Sequence, residues 1–114
     1  MTTLLKLCDL ADLPDKRAVV HGAEEIAVAL CRVGDRVYGF EARCSHALKP
    51  LDGARARGGS LMCPHHGARF DLATGKHLAA PAVRGIKAYE IRIENEEVFV
   101  VMSAKGQPLG GEDA

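Results

Sequence analysis

Large and small apolar side chains alternate over residues 26–31, where Ile26, Val28 and Leu30 are interleaved with Ala27, Ala29 and Cys31. A repeat of two belongs to an extended chain, so the pattern predicts a strand with bulky side chains on one face and small ones on the other. VGDR supplies a turn and VYGF resumes an aromatic, β-branched run, which predicts a hairpin over residues 25–41. Near the end, Tyr89, Ile91 and Ile93 alternate with Glu90, Arg92 and Glu94, the pattern of a half-buried strand. The turn ENEE then leads into VFVVM, apolar on both faces and therefore expected at the centre of a sheet. A further short strand is predicted at RAVVH.

No segment carries a helical repeat over ten or more positions; CDLADLP makes at most a turn or two before Pro14 stops it. The fold class is therefore all-β. Between the hairpin and the final strands the composition changes. Cys44 to Pro81 is dense in Gly, Pro, His and Arg, with SLMC and RFDL as short apolar pieces and Gly58–Gly59 as a hairpin tip. This reads as an insertion built around a site. KGQPLGGEDA, residues 105–114, has the character of a loose tail. The expected organisation is a single domain over residues 1–104, with a subdomain of about 43–82 inserted into the β base.

Composition excludes several function classes. The chain has 114 residues, 47% of them hydrophobic and 26% charged, which fits one globular module. No apolar run approaches the roughly 20 residues needed to span a bilayer. Lys6 and Asp9 interrupt the N-terminal apolar stretch and no small-residue cleavage pattern follows, so a secretory signal is not expected and the cytoplasm is. Cys8, Cys31, Cys44 and Cys63 are too irregularly spaced for a disulfide scaffold, and a reducing compartment keeps them as thiols or metal ligands. The net charge of zero argues against a nucleic-acid binder held by phosphate contacts. Charge is nonetheless uneven: residues 43–87 hold eight basic and two acidic side chains, 8 − 2 = +6, and the rest sums to −6. The asymmetry suits either a surface that meets a partner or charges solvated on a β face.

The inserted segment contains CSH at Cys44–His46 and CPHH at Cys63–His66, giving the pattern C-x-H, sixteen residues, C-x2-H. Four such ligands could hold one tetrahedral zinc ion. A zinc finger, however, draws a cysteine pair from one turn and a histidine pair from another, whereas each loop here supplies one of each. Mixed pairs suit a dinuclear centre in which one iron takes both thiolates and the other both imidazoles.

In this motif, in Gly67 after it, and in GARFDLATG continuing to Pro81, the chain resembles the Rieske [2Fe-2S] ferredoxins, the small kind that serves bacterial ring-hydroxylating oxygenases. The resemblance implies one [2Fe-2S] cluster, with Cys44 and Cys63 on the inner iron and His46 and His66 on the outer one. It also implies an antiparallel β base of small, sandwich-like sheets with a cluster-binding subdomain inserted in it, and Pro81 on a third loop that shields the cluster. Respiratory relatives carry a further cysteine in each loop, where this chain has Lys49 and His65, so their disulfide cannot form. They also carry a serine and a tyrosine that donate hydrogen bonds toward the cluster, where this chain has Ala68 and Phe70. Fewer donors stabilise less negative charge, which predicts a reduction potential at the low end of the Rieske range.

The implied activity is one-electron transfer from a flavin-containing, NAD(P)H-dependent reductase to a terminal oxygenase of the aromatic-ring dioxygenase type. The chain is expected to turn over no substrate of its own, since no general base, nucleophile or open metal position accompanies the motif. Transient docking through the histidine tip, a monomeric state, and no nucleic acid or membrane partner complete the expectation. The alternatives are the small Rieske subunit of a nitrite reductase or another multicomponent oxidoreductase, and a structural zinc module. His65 falls one residue short of the ligand spacing, and His21 and His77 read as surface residues. Cys8 and Cys31 read as small core side chains, Gly67 and Gly75 as turn residues, and Arg69 and Arg84 as either partner-facing or solvated.

Overall fold

In the computed structural model, residues 3–23, 26–42, 51–64, 68–79, 86–104 and 106–109 are described. They form eleven strands in three antiparallel sheets, and the longest helical element among them is a 3-10 turn at Leu10–Asp12. The strands are β1 (Thr3–Asp9), β2 (Ala18–Ala23), β3 (Ile26–Val33), β4 (Arg36–Glu41), β5 (Arg55–Arg57), β6 (Ser60–Met62), β7 (Arg69–Asp71), β8 (His77–Ala79), β9 (Ala88–Tyr89), β10 (Ile91–Glu94) and β11 (Glu97–Met102). The all-β class holds, and the predicted hairpin is β3–β4.

The middle sheet has the order β2-β3-β4-β9. Its central hairpin turns at Gly34, whose φ of 64° suits glycine and matches a two-residue hairpin connection. Asp15 Oδ1 accepts the Gly34 N–H at 2.9 Å and Arg32 Nε donates to the Gly34 carbonyl at 2.8 Å, which fixes the turn. Both faces of β3 are buried. Val28 and Leu30 pack with Leu13, Val98 and Val100, while Ala29 and Cys31 pack with Phe40, Leu51, Leu61 and Phe70. The alternation of large and small residues therefore separates two apolar cores, one on each side of the middle sheet.

On the bulky side lies the sheet β1-β11-β10, with β11 in the centre as its doubly apolar sequence predicts. Gly39 makes this approach possible: a Cβ there would overlap the Ile91 side chain. The β10–β11 turn carries Asn95 at φ 51° and Glu96 at φ 62°, the sign pattern of a type I′ connection, which asparagine tolerates better than glutamate. For β1 the sequence marks a strand-like stretch around Cys8 but not the strand's extent. Its register shifts between Lys6 and Cys8, so its apolar positions break the repeat that would reveal it. The alternation from Tyr89 to Ile93 also spans two strands rather than one. At Glu90 the chain leaves the middle sheet, and the Glu90 N–H donates to the Leu109 carbonyl at 2.8 Å.

The third sheet, β5-β6-β7-β8, is a meander formed wholly between β4 and β9. Strands β4 and β9 pair with each other through Gly39–Tyr89 and Phe40–Ala88, and the Glu41 N–H donates to the Lys87 carbonyl at 2.9 Å. The insertion thus leaves and returns at neighbouring points. A second seam fastens it to β2: the Ala18 N–H donates to Ala54, the Gly53 N–H to Ala18 and the Ala56 N–H to Lys16, at 2.7–2.9 Å. The segment expected to be a loose tail is tied as far as Leu109, whose N–H donates to Val101 at 2.8 Å; residues 105 and 110–114 lie outside the described residues.

Candidate metal centre

Cys63 follows directly on β6 and is the one proposed ligand among the described residues. Cys44, His46 and His66 lie outside them, as do Arg43, Lys49, His65, Gly67, Pro81 and Arg84. The two segments that carry the motif are nonetheless bounded by described residues. The Leu51 N–H donates to the Ala42 carbonyl at 2.8 Å, closing the neck of residues 43–50. The Cys63 N–H donates to the Ala68 carbonyl at 2.7 Å, closing the neck of residues 64–67 one step beyond the Met62–Arg69 pair of β6 and β7.

Both necks belong to one buried cluster. Leu51, Ala54, Leu61, Cys63, Ala68 and Phe70 pack together, with Phe40 and Cys31 from the middle sheet beneath them. Cys63 is 1% exposed, so its sulfur faces protein rather than water. Ala68 and Phe70, where the respiratory relatives carry hydroxyls, are fully buried in the same cluster. That environment fits a thiolate-bound cluster: the metal replaces the proton, and the apolar surroundings keep solvent from the inner sulfur. Among the described residues no group of three or more His, Cys, Asp or Glu side chains offers a competing metal site.

The other two described thiols are unsuited to ligation. Burial pushes Cys8 up to about 11, with the carboxylates of Asp12 and Asp9 adding to the shift. Burial likewise raises Cys31 to about 11, with Asp15 adding. Both are neutral core side chains at neutral pH, as their sequence context predicts. Native protein is therefore expected to resist iodoacetamide at these two sites at pH 8 and to be alkylated there once unfolded. The same shifts fix a sign for stability: the unfolded thiols ionise first, near 9.0, so stability falls as pH rises from about 9 to about 11. Peptide mapping of the alkylated protein and urea midpoints across that range measure both effects.

His77 is exposed, as expected. His21 is not simply a surface residue: it is half-buried on β2, and its Nε2 is buried with no hydrogen-bond partner among the described residues. Lone histidines carry no sequence mark that separates these two states.

Comparison with known proteins bears on the same segment. The Rieske [2Fe-2S] domain matches residues 3–90. The ferredoxin component of the naphthalene 1,2-dioxygenase/salicylate 5-hydroxylase systems of Ralstonia sp is 34% identical over 96 residues, which is 82% of this chain and 89% of that protein. Among solved structures, the complex of reduced oxygenase and oxidized ferredoxin in carbazole 1,9a-dioxygenase contains a chain that superposes with a TM-score of 0.74 at 27% identity, covering 84% of this chain and 90% of that one. A putative NADH-dependent nitrite reductase small subunit from Mycobacterium tuberculosis shares the fold, with a TM-score of 0.76 at 21% identity over 91% of this chain and 98% of that one.

Proposed function

Because the chain belongs to the Rieske [2Fe-2S] domain family, we propose that it is a ferredoxin: a one-electron carrier between a flavin-containing, NAD(P)H-dependent reductase and a terminal oxygenase of the aromatic-ring dioxygenase type. The observation that carries this reading is the buried Cys63 at the neck of its loop, in a chain 34% identical to a dioxygenase-system ferredoxin. Cys44 and Cys63 hold one iron of a single [2Fe-2S] cluster, and His46 and His66 hold the other. The cluster supplies a one-electron couple; the chain's own work is to hold it, keep water from its inner side and present its outer side to partners. No substrate conversion is assigned to the protein.

The functional unit is a monomeric cytoplasmic domain over residues 1–104, to whose base Leu109 is also tied, and residues 43–82 form its cluster-binding part. Among the described residues no helix is long and apolar enough to cross a membrane. Docking is brief at each partner, since electron transfer needs proximity and not a lasting interface. The nitrite reductase reading shares the fold without comparable identity. A stable complex with a sirohaem subunit after co-expression would favour it.

Iron and acid-labile sulfide in equal amounts, and an EPR spectrum of mixed sulfur and nitrogen ligation after dithionite, are the expected results. Zinc without sulfide would refute the reading. With Ala68 and Phe70 at the buried positions beside Cys63, the midpoint potential is expected at about −150 mV, and Ala68→Ser is expected to shift it upward. A wild-type midpoint above zero at neutral pH would contradict the assigned role of these two residues.

A further inference from the structure

Four cations line a groove that Cys63 and Pro64 also line. Its volume is about 920 Å³, and its walls include Lys16, Arg17, Arg55 and Arg57 together with Met62, Cys63 and Pro64. All four basic side chains are exposed, and none has an ion-pair partner among the described residues. The acidic wall residue Asp15 is engaged by the Gly34 N–H at 2.9 Å.

The arrangement costs stability. Arg17 stands directly opposite Arg55 in an antiparallel bridge, and like charges so placed repel. Lys16 holds a φ of 62°, which an L-residue with a side chain adopts at a cost. Its carbonyl accepts the Ala56 N–H at 2.9 Å, so the seam that joins the inserted sheet to β2 also brings the two sets of cations together. The Lys16 backbone is held by hydrogen bonds to Arg32 and Ala56, but the repulsion between the side chains is offset by no described ion-pair partner inside the chain. An anionic surface laid into the groove would offset the repulsion, and it would lie beside Cys63 and Pro64 in the same wall.

We propose that this basic groove is the docking surface for a carboxylate-rich face of the terminal oxygenase. The proposal rests on the electron-carrier reading above and adds to it the sign of the interface and the residues that form it. One electron leaves the reduced ferredoxin and reduces the oxygenase's own acceptor; no proton or bond is exchanged. Attraction between the groove and the carboxylates raises the encounter rate and is weakened by salt.

The test uses dithionite-reduced holoprotein in stopped flow, first with ferricyanide and hexaammineruthenium(III) as anionic and cationic one-electron oxidants. Arg55→Glu/Arg57→Glu is expected to slow ferricyanide about tenfold at low ionic strength and to accelerate hexaammineruthenium(III), at an unchanged midpoint potential. Arg92→Glu, on the outer sheet, makes half of that change in net charge away from the groove and is expected to change neither rate by more than about twofold. Equal rates in the double variant, or changes in the same direction for both oxidants, would overturn the groove. Arg55→Gln/Arg57→Gln gives the same readout with a smaller effect should the reversal not fold.

The second arm uses the terminal oxygenase of the naphthalene 1,2-dioxygenase system. Its reduction by wild type is expected to slow as salt is raised, and the double variant to react about tenfold more slowly at low salt. A variant as fast as wild type overturns the docking proposal while leaving the carrier reading intact. Wild type that reduces both small oxidants but not the oxygenase removes the oxygenase as occupant and counts against the carrier reading instead.

Discussion

Cys63→Ala is expected to be recovered with less than about a tenth of the wild-type iron and sulfide and without the visible absorption of a [2Fe-2S] centre. Under the proposed ligation, alanine leaves one iron a ligand short at a site where no other described thiol can substitute, since Cys8 and Cys31 are held neutral by burial. The backbone need not be disturbed. The bond that closes the neck runs from the Cys63 N–H to the Ala68 carbonyl and does not use the side chain. Far-UV circular dichroism is therefore expected to stay strand-like while iron analysis and EPR collapse. Cys8→Ala and Cys31→Ala are the complementary measurements: each removes a buried sulfur, costing about 1–2 kcal/mol of stability, with full cluster content. A Cys63→Ala protein with a full complement of iron would refute the ligand assignment.

Gly75→Ala is expected to be the most destabilising single-atom change outside the ligands, at about 4 kcal/mol or more. Gly75 has a φ of 79°, and an added Cβ would fall on the carbonyl oxygen of Ile86, which belongs to the backbone and cannot rotate away. The glycine is also clasped at both ends: its N–H donates to Asp71 at 2.8 Å and its carbonyl accepts the Ile86 N–H at 2.8 Å. Ile86 is fully buried in the core that contains Cys63, so opening this clasp loosens the return of the inserted sheet to the base. Gly58→Ala separates strain from collision. Its φ of 56° is also left-handed, but nothing lies within 4 Å of the added atom, so its cost is expected to be about 1–2 kcal/mol. Urea unfolding of the two variants side by side makes the comparison; equal losses would remove the special role of Gly75.

The features legible in the sequence were those set by near neighbours along the chain. The β3–β4 hairpin, the doubly apolar β11 and the glycine tip between β5 and β6 each follow from a local repeat or turn. The ligand motif was readable for the same reason, its spacing being short and specific. What escaped depends on contacts between distant residues. The extent of β1 was hidden by its bulge, and the switch of sheets at Glu90 falls inside an unbroken alternation because Leu109, far along the chain, supplies the partner that breaks it. The gathering of Lys16 and Arg17 beside Arg55 and Arg57 is likewise invisible until the inserted segment zips along β2. The uneven charge of residues 43–87 showed only half of that surface.

The pairing of β1 with β11 also orders the making of the protein. Thr3 lies opposite Met102, a separation of 102 − 3 = 99 positions, so the earliest strand to leave the ribosome waits for the latest before it gains its ladder. Through that interval three of the four strands of the middle sheet can pair, since β2, β3 and β4 are contiguous, while the bulky face of Val28 and Leu30 stays open to water or to a chaperone. The inserted sheet, whose core residues Leu61 and Phe70 use the other face of the same sheet, is synthesised before that outer sheet can close.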